Sequence, residues 1–284
     1  VTADQLDPNY YDLLASEARL ASYLAVVFRQ VPEAHWYALG RPMTPVAGQP
    51  ALLSWGGTMF EYLMPNLLMR SRPDTLLART CELAVVAQIA RGAELDAPWG
   101  VSESAFAHVD AHQTYQYRSF GVPGLGFKRG LDEDRVVTPY ASALALAIRP
   151  RAVVANLCAL EQRGMLGTYG LFEALDLAAE RATTLHPHTV VRSYMAHHQG
   201  MLLVALGNHL NARSMVARFH ADPVITTGEL LLNEQAPAVA PPEWPQGDVT
   251  AGDAAAQPAM PRPPAPWSIT GQPHPQAFVL SNGR

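Results

Sequence analysis

Residues 96–135 have no helical period, and segments that do have one stand on both sides of them. Upstream, residues 9–30 carry apolar side chains at 13, 14, 20, 24, 27 and 28, as one face of a helix requires. Residues 32–57 are broken by proline and glycine and read as an irregular connection. The period resumes over 58–71, with Pro65 as an internal kink, and over 73–95, with Asp74 as the expected N-cap. Downstream, the spacing predicts helices over 137–148, 150–163 (opened by Pro150), 170–181 and 188–211, and a last ordered element over 223–235. The expected chain is therefore mostly helical. Its long Gly- and aromatic-rich loops belong to function, because a structureless loop of that length is otherwise uncommon in a compact domain.

Residues 236–276 are rich in alanine and proline and cannot build a core, so they read as a linker. "HPQAFVLSNGR" regains the character of an ordered segment. The expected organisation is a catalytic domain over 1–235, a linker over 236–276 and the start of a following domain over 277–284. "VTADQLDPNYYDLL" has the look of a start inside a longer protein and no signal-peptide shape. No stretch reaches the roughly 18 apolar residues of a membrane span. The formal net charge is −5, and Lys128 is the one lysine among 20 basic residues. With no dense basic run, neither nucleic acid nor an anionic membrane surface is an expected partner. Cys81 and Cys158 lie in helix-like apolar segments and read as reduced core thiols.

Three sets of residues could carry chemistry. Glu17, Glu61, Glu103 and Glu173 are each flanked by apolar or aromatic residues, as in "WGVSESAF" around Glu103. A carboxyl pressed against Trp99 and Phe106 loses hydration, and its pKa rises toward that of a general acid. Glu17, two residues from Arg19, is expected to stay ionised beside the guanidinium, as a nucleophile or base requires. Helix capping or salt bridging inside a bundle would account for any one of these glutamates alone. The second set is aromatic: Trp36, Trp55, Trp99, Tyr115, Tyr117, Phe120 and Tyr169 fall mainly in loops, where they can stack on sugar rings or close over the core. The third is the pair His197 and His198. They diverge on a helix and lack the spacing of a zinc motif, so hydrogen bonding at a pocket rim fits them better than a metal. Phosphate-binding loops and the Gly-x-Ser-x-Gly elbow are absent, and "GVPGLG" reads as a turn bringing backbone close to another segment.

Taken in order, "YYDLLASEARLASYLA", "HWYALGRP", "LLSWGGTMFEYLMPNLLMRS", "PWGVSESAF", "TYQYRSFGVPGLGFKRG", "VVTPYASALAL", "GTYGLFEALD" and "VRSYMAHHQGMLLVAL" resemble the glycoamylase-like domain of cyclic β-1,2-glucan synthases, from about residue 9 to 235. "HPQAFVLSNGR" is similar to the start of the phosphorylase-like region of those enzymes. The resemblance implies an all-α (α/α)6 toroid, begun partway through the family domain, with β-1,2-glucan in its central cleft. It implies a transglycosylase that cuts a linear chain and closes it into a ring, with endo-β-1,2-glucanases as hydrolytic relatives. A glucan-binding or packing module without turnover is the competing reading, and a metal-dependent hydrolase the outsider.

Carried over by motif, the catalytic pair is Glu17 and Glu103; their environments assign Glu103 as acid/base and Glu17 as nucleophile. Glu61 and Glu173 become sugar-hydroxyl ligands, Glu173 being the alternative catalytic carboxyl. Asp110 would orient a catalytic group or a water. Trp55, Trp99, Tyr115, Tyr117, Arg129, Tyr194, His197 and His198 would line subsites. No cofactor or metal is implied, since two carboxyls suffice for glycoside chemistry. The resemblance places the domain at the cytoplasmic face of the bacterial inner membrane, with the remaining domains of a longer chain as partners and no membrane contact of its own.

Overall fold

The computed structural model describes residues 12–131, 133, 135–178 and 188–237. The segment 179–187, the tail from 238 and most of the expected linker lie outside them. Helices α1 (Arg19–Val27) and α2 (Ala34–Ala38) lead into a hairpin of β1 (Met43–Val46) and β2 (Gln49–Leu52). Helix α3 (Met59–Leu63) tightens at Pro65 into a 3₁₀ turn, as the missing proline N–H dictates, and α4 (Leu76–Glu94) follows. The long connection then forms a second hairpin, β3 (Ser104–Val109) and β4 (Tyr115–Arg118).

Strand β5 (Val136–Val137) precedes α5 (Pro139–Ala143) and α6 (Pro150–Glu161). A small hairpin of β6 (Leu166–Gly167) and β7 (Gly170–Leu171) follows. Strands β8 (Ala174–Asp176) and β9 (Thr189–Val191) complete a three-stranded sheet in the order β5-β8-β9. Helices α7 (Ala196–Leu210), α8 (Ser214–Phe219) and α9 (Pro223–Thr226) close the described chain. The core runs from Leu14, Tyr23 and Trp36 through Met59, Tyr62 and Leu63 to Tyr140, Leu160 and Leu175, all buried.

The expectation of an all-α chain is corrected: the described residues hold four small antiparallel sheets beside the helices. Buried loop backbone must find partners, and short hairpins supply them. Residues 170–181 have helical spacing, yet 174–176 pair with both β5 and β9. The first helix begins at Arg19, so Glu17 stands in the turn before it. Thr75, not Asp74, caps α4: its Oγ1 accepts from Ala78 N, while Asp74 adopts a left-handed φ of 64°. Cys81 is buried, but Cys158 is exposed and no core thiol. "GVPGLG" does bring backbone together. A Cβ on Gly121 would overlap the Gly56 carbonyl oxygen, and one on Gly57 (φ 68°) would press on the Val122 carbonyl.

Candidate active site

Glu17, Glu61 and Glu103 come close enough for their charges to act on one another, and Glu173 stands beside His198 and the start of β3. Glu17 is half-buried in the turn before α1, where Ser16 Oγ donates to its Oε2 at 3.2 Å. Its pKa is raised, by burial first and then by the charge of Glu61, against a hydrogen bond from its own backbone. The expectation that Arg19 keeps it ionised is corrected, because Arg19 exerts the weakest of these influences. The buried guanidinium turns inward and donates to the carbonyls of Ser16 (2.9 Å), Glu61 (2.8 Å) and Tyr62 (2.6 Å). It holds the Glu17 turn on α3 by hydrogen bonds rather than by charge.

Glu103 leads into β3. Burial, and then the negative charges of Glu17 and Glu61, push its carboxyl up to about 7, while a hydrogen bond with Tyr117 and the charge of Lys128 pull the other way. Its backbone carbonyl accepts from the Tyr140 hydroxyl at 3.0 Å. Trp99 is not a sugar platform: it is 7% exposed, sits against Gly92 of α4 and is bonded through its backbone to Asn156. Phe106 stacks on His108, meets Phe120 edge-on and lies under the Arg118 guanidinium.

Glu61 is 6% exposed and is the N3 residue of a capping box on α3. Its carboxylate accepts from Gly56 N (2.8 Å), Thr58 N (2.9 Å) and Ser54 Oγ (3.0 Å). That satisfies a helix start and fixes the Trp-Gly-Gly turn, and little capacity is left for a sugar hydroxyl. Glu173, just before β8, is 1% exposed. Its Oε1 lies 2.8 Å from His198 Nδ1 and accepts from Ala105 N at 3.2 Å, and its Oε2 has no hydrogen-bond partner.

His198, buried on α7, stacks flat on Tyr140 with centroids 3.8 Å apart. Its Nε2 lies 3.3 Å from the Tyr117 hydroxyl. His197 beside it is exposed overall, and the partial burial of its ring, then the neighbouring His198, lower its pKa. Tyr117 stands by both groups of residues: its hydroxyl lies 3.3 Å from His198 Nε2, and its pKa is raised by burial and then by the charges of Glu103 and Glu173.

The remaining candidates scatter. Trp55 is 46% exposed beside Phe127, Arg129 is exposed, and Tyr115 is half-buried in β4. Tyr194 packs on Phe172 and on the exposed Tyr169. Asp110 is exposed and closes the β3–β4 turn, its Oδ1 accepting from the backbone of His112 and Thr114. Trp36 and Phe120 belong to the core.

The chain matches the Glycoamylase family model, described as "Putative glucoamylase", over residues 9–222. It belongs to that family. Cyclic beta-(1,2)-glucan synthase NdvB of Rhizobium meliloti (strain 1021) is 48% identical over 237 residues, 84% of this chain and 8% of that protein's length. Among solved structures, the endo-beta-1,2-glucanase of Chitinophaga pinensis, in complex with sophorotriose and glucose, superposes with a TM-score of 0.56. The identity is 15% over 77% of this chain and 54% of that one. The beta-1,2-glucanase of Parabacteroides distasonis gives 0.50 and 15% over 78% and 30%. At such identities the likeness is one of fold.

Within this family member, Tyr140 and Lys128 stand at the site without having been singled out from sequence. Lys128 carried a signal as the chain's one lysine. Tyr140 carried only its place in "VVTPYASALAL", where Pro139 opens α5 and sets the tyrosine in its first turn. Among the described residues, no three His, Cys, Asp or Glu side chains group to hold a metal, and no helix is long and apolar enough to cross a membrane.

Proposed function

We propose that this chain is the transglycosylating domain of a cyclic β-1,2-glucan synthase, with Glu103 as acid/base, Glu17 as nucleophile and a toroidal cleft for the linear glucan. The observation that carries the reading is a pair of half-buried carboxyls both held above the ordinary range by burial, with Glu103 raised to about 7 partly by the charge of Glu17. Two such groups lose their protons in sequence, not together. Glu17 ionises first, and its charge helps hold the proton on Glu103, so near neutrality one is a nucleophile and the other an acid.

In the first step Glu103 gives its proton to the glycosidic oxygen and a Glu17 oxygen bonds to the anomeric carbon, releasing one end of the chain. In the second, the non-reducing-end hydroxyl attacks that carbon, Glu103 takes its proton, and the bond to Glu17 breaks as the ring closes. This double displacement requires carboxyls about 5–5.5 Å apart. Trp55, Tyr115, Tyr117, Arg129, Tyr194 and His197 supply exposed or half-exposed stacking and hydrogen-bonding groups for subsites. The substrate class rests on the 48% identity to a named synthase, and the remaining domains of a longer chain are the expected partners.

Incubation with linear β-1,2-glucan, with products resolved by mass and anomeric configuration, tests the reading. Cyclic or lengthened products with retained configuration are expected, and about 10²–10⁴-fold less of them from Glu17→Gln and Glu103→Gln. Turnover falls as pH rises through about 7, where Glu103 loses the proton it must donate. Azide should rescue the Glu17→Ala variant as a glycosyl azide of inverted configuration; rescue of that kind at Glu103→Ala instead exchanges the two roles. Short linear products alone would identify a hydrolase.

A further inference from the structure

Glu173 and His198 are buried side by side, 1% and 2% exposed, and the proposed reaction gives them no part. Glu173 Oε1 accepts from Ala105 N at 3.2 Å and lies 2.8 Å from His198 Nδ1. A carboxylate only accepts, so the ring proton sits on Nδ1 and Nε2 keeps its lone pair. That lone pair lies 3.3 Å from the Tyr117 hydroxyl. Tyr140 keeps the imidazole from turning away. Its ring stacks on His198 with centroids 3.8 Å apart, and its hydroxyl is anchored on Ser102 Oγ (2.9 Å) and the Glu103 carbonyl (3.0 Å).

Tyr117 differs from this buried pair in being 38% exposed. It pairs with Ala105 across β3 and β4, and Ala105 is two residues from Glu103. The alternation of a strand therefore turns Tyr117 and Glu103 toward one side of the hairpin. Burial, and then the charges of Glu103 and Glu173, raise the phenol's pKa, so the hydroxyl keeps its proton. With that proton directed at Nε2, only oxygen lone pairs remain for a ligand.

We propose that Glu173 and His198 are positioning residues that orient the Tyr117 hydroxyl: Glu173 fixes the tautomer of His198, Nε2 accepts the Tyr117 proton in a hydrogen bond, and the phenol oxygen is left as an acceptor for one hydroxyl of the glucan. The units of a β-1,2-linked chain carry free hydroxyls that donate to such an oxygen. Tyr117 touches the sugar, and the buried pair acts through it. The ligand rests on the reading of this chain as a β-1,2-glucan enzyme, whereas the hydroxyl's orientation is a property of the chain alone.

The orientation is read first, by ¹⁵N NMR of the histidine-labelled full chain near neutral pH, with His198 assigned by loss in His198→Gln. A proton on Nδ1 and none on Nε2 is expected. A proton on Nε2, in the other tautomer or in an imidazolium, overturns the proposal, because Tyr117 would then accept from the histidine. The acceptor role is read from the Kd of linear β-1,2-glucan, measured by calorimetry in the Glu103→Gln background so that nothing turns over. Tyr117→Phe should weaken binding about 3–10-fold, the worth of one neutral hydrogen bond. His198→Ala should weaken it as much, and Tyr117→Phe should add nothing further to His198→Ala. Glu173→Gln keeps a carbonyl oxygen for Ala105 N and Nδ1 and should bind as the parent does, while Glu173→Ala should not. Where the alanine variants do not fold, the spectrum and Tyr117→Phe decide. An effect of His198→Ala that persists in the Tyr117→Phe background means the imidazole meets the glucan itself, and the proposal falls. Unchanged affinity in Tyr117→Phe, beside normal turnover by the wild type, sinks the proposal and leaves the function standing. A cycle that closes in a chain without turnover does the reverse. A wild type that neither binds nor turns over β-1,2-glucan removes both.

Discussion

Ionising Glu103 is harder in the folded chain than in the unfolded one, because burial and the charges of Glu17 and Glu61 raise its pKa from 4.5 to about 7. A folded pKa above the unfolded value means stability that is full below about 4.5 and is lost as pH rises through about 7. Glu103→Gln removes the titration. Its thermal midpoint should match that of the wild type near pH 4.5, exceed it increasingly up to pH 7, and keep a constant advantage above. Melting curves of both proteins at pH 4.5, 6 and 8 check this. A variant more stable at pH 8 and without turnover would show that the site holds a carboxyl where the fold alone would not. Arg19 shows the converse at the same scale. Its charge is two residues from Glu17 in sequence, yet three backbone carbonyls consume its donors.

At the scale of elements, the site depends on how helix starts and hairpins are fixed to one another. Glu61 looked like a sugar ligand because its neighbours are apolar. In the fold those neighbours are α3 itself, and the carboxylate closes the capping box while gripping the turn at 54–58. Glu61→Ala should cost about 2–4 kcal/mol, since three buried donors lose a charged acceptor. Denaturant unfolding measures it. A sugar ligand would instead raise KM and leave stability unchanged. The loop carrying Val122 and Leu125 docks on this same turn through close glycine contacts, which brings Lys128 to the carboxyl cluster.

Across the whole molecule, the last described residues tie distant parts together. Glu229 accepts from Arg70 at 2.7 Å and Arg72 at 2.6 Å and pairs with His220 at 2.8 Å. Tyr23 of α1 donates to the Ile225 carbonyl, and Arg41 pairs with Glu234. Burial raises the Glu229 pKa, but its bonds to His220 and Arg72 outweigh that and leave it lowered, so this stabilisation is present above the ordinary carboxylate range and is lost on acidification. Glu229→Ala should lower stability by about 2 kcal/mol at pH 7, and by less at pH 3, in unfolding titrations at the two values.

The sequence by itself determined the family motifs, the segments with helical period and the two carboxyls of the proposed pair, because each is written in residues a few positions apart. Apolar spacing sets which face of a helix is buried, and a glutamate between a tryptophan and a phenylalanine is already unusual as a string. The tertiary structure decided what each side chain does there. It turned 174–176 from a helix into a strand by offering β5 and β9 as partners, and it spent Glu61 on a cap and Asp110 on a turn. It also joined Tyr117, Glu173 and His198 across 81 positions of chain. Hydrogen bonds and desolvation act between groups brought together in space, and no local spacing records which groups those are.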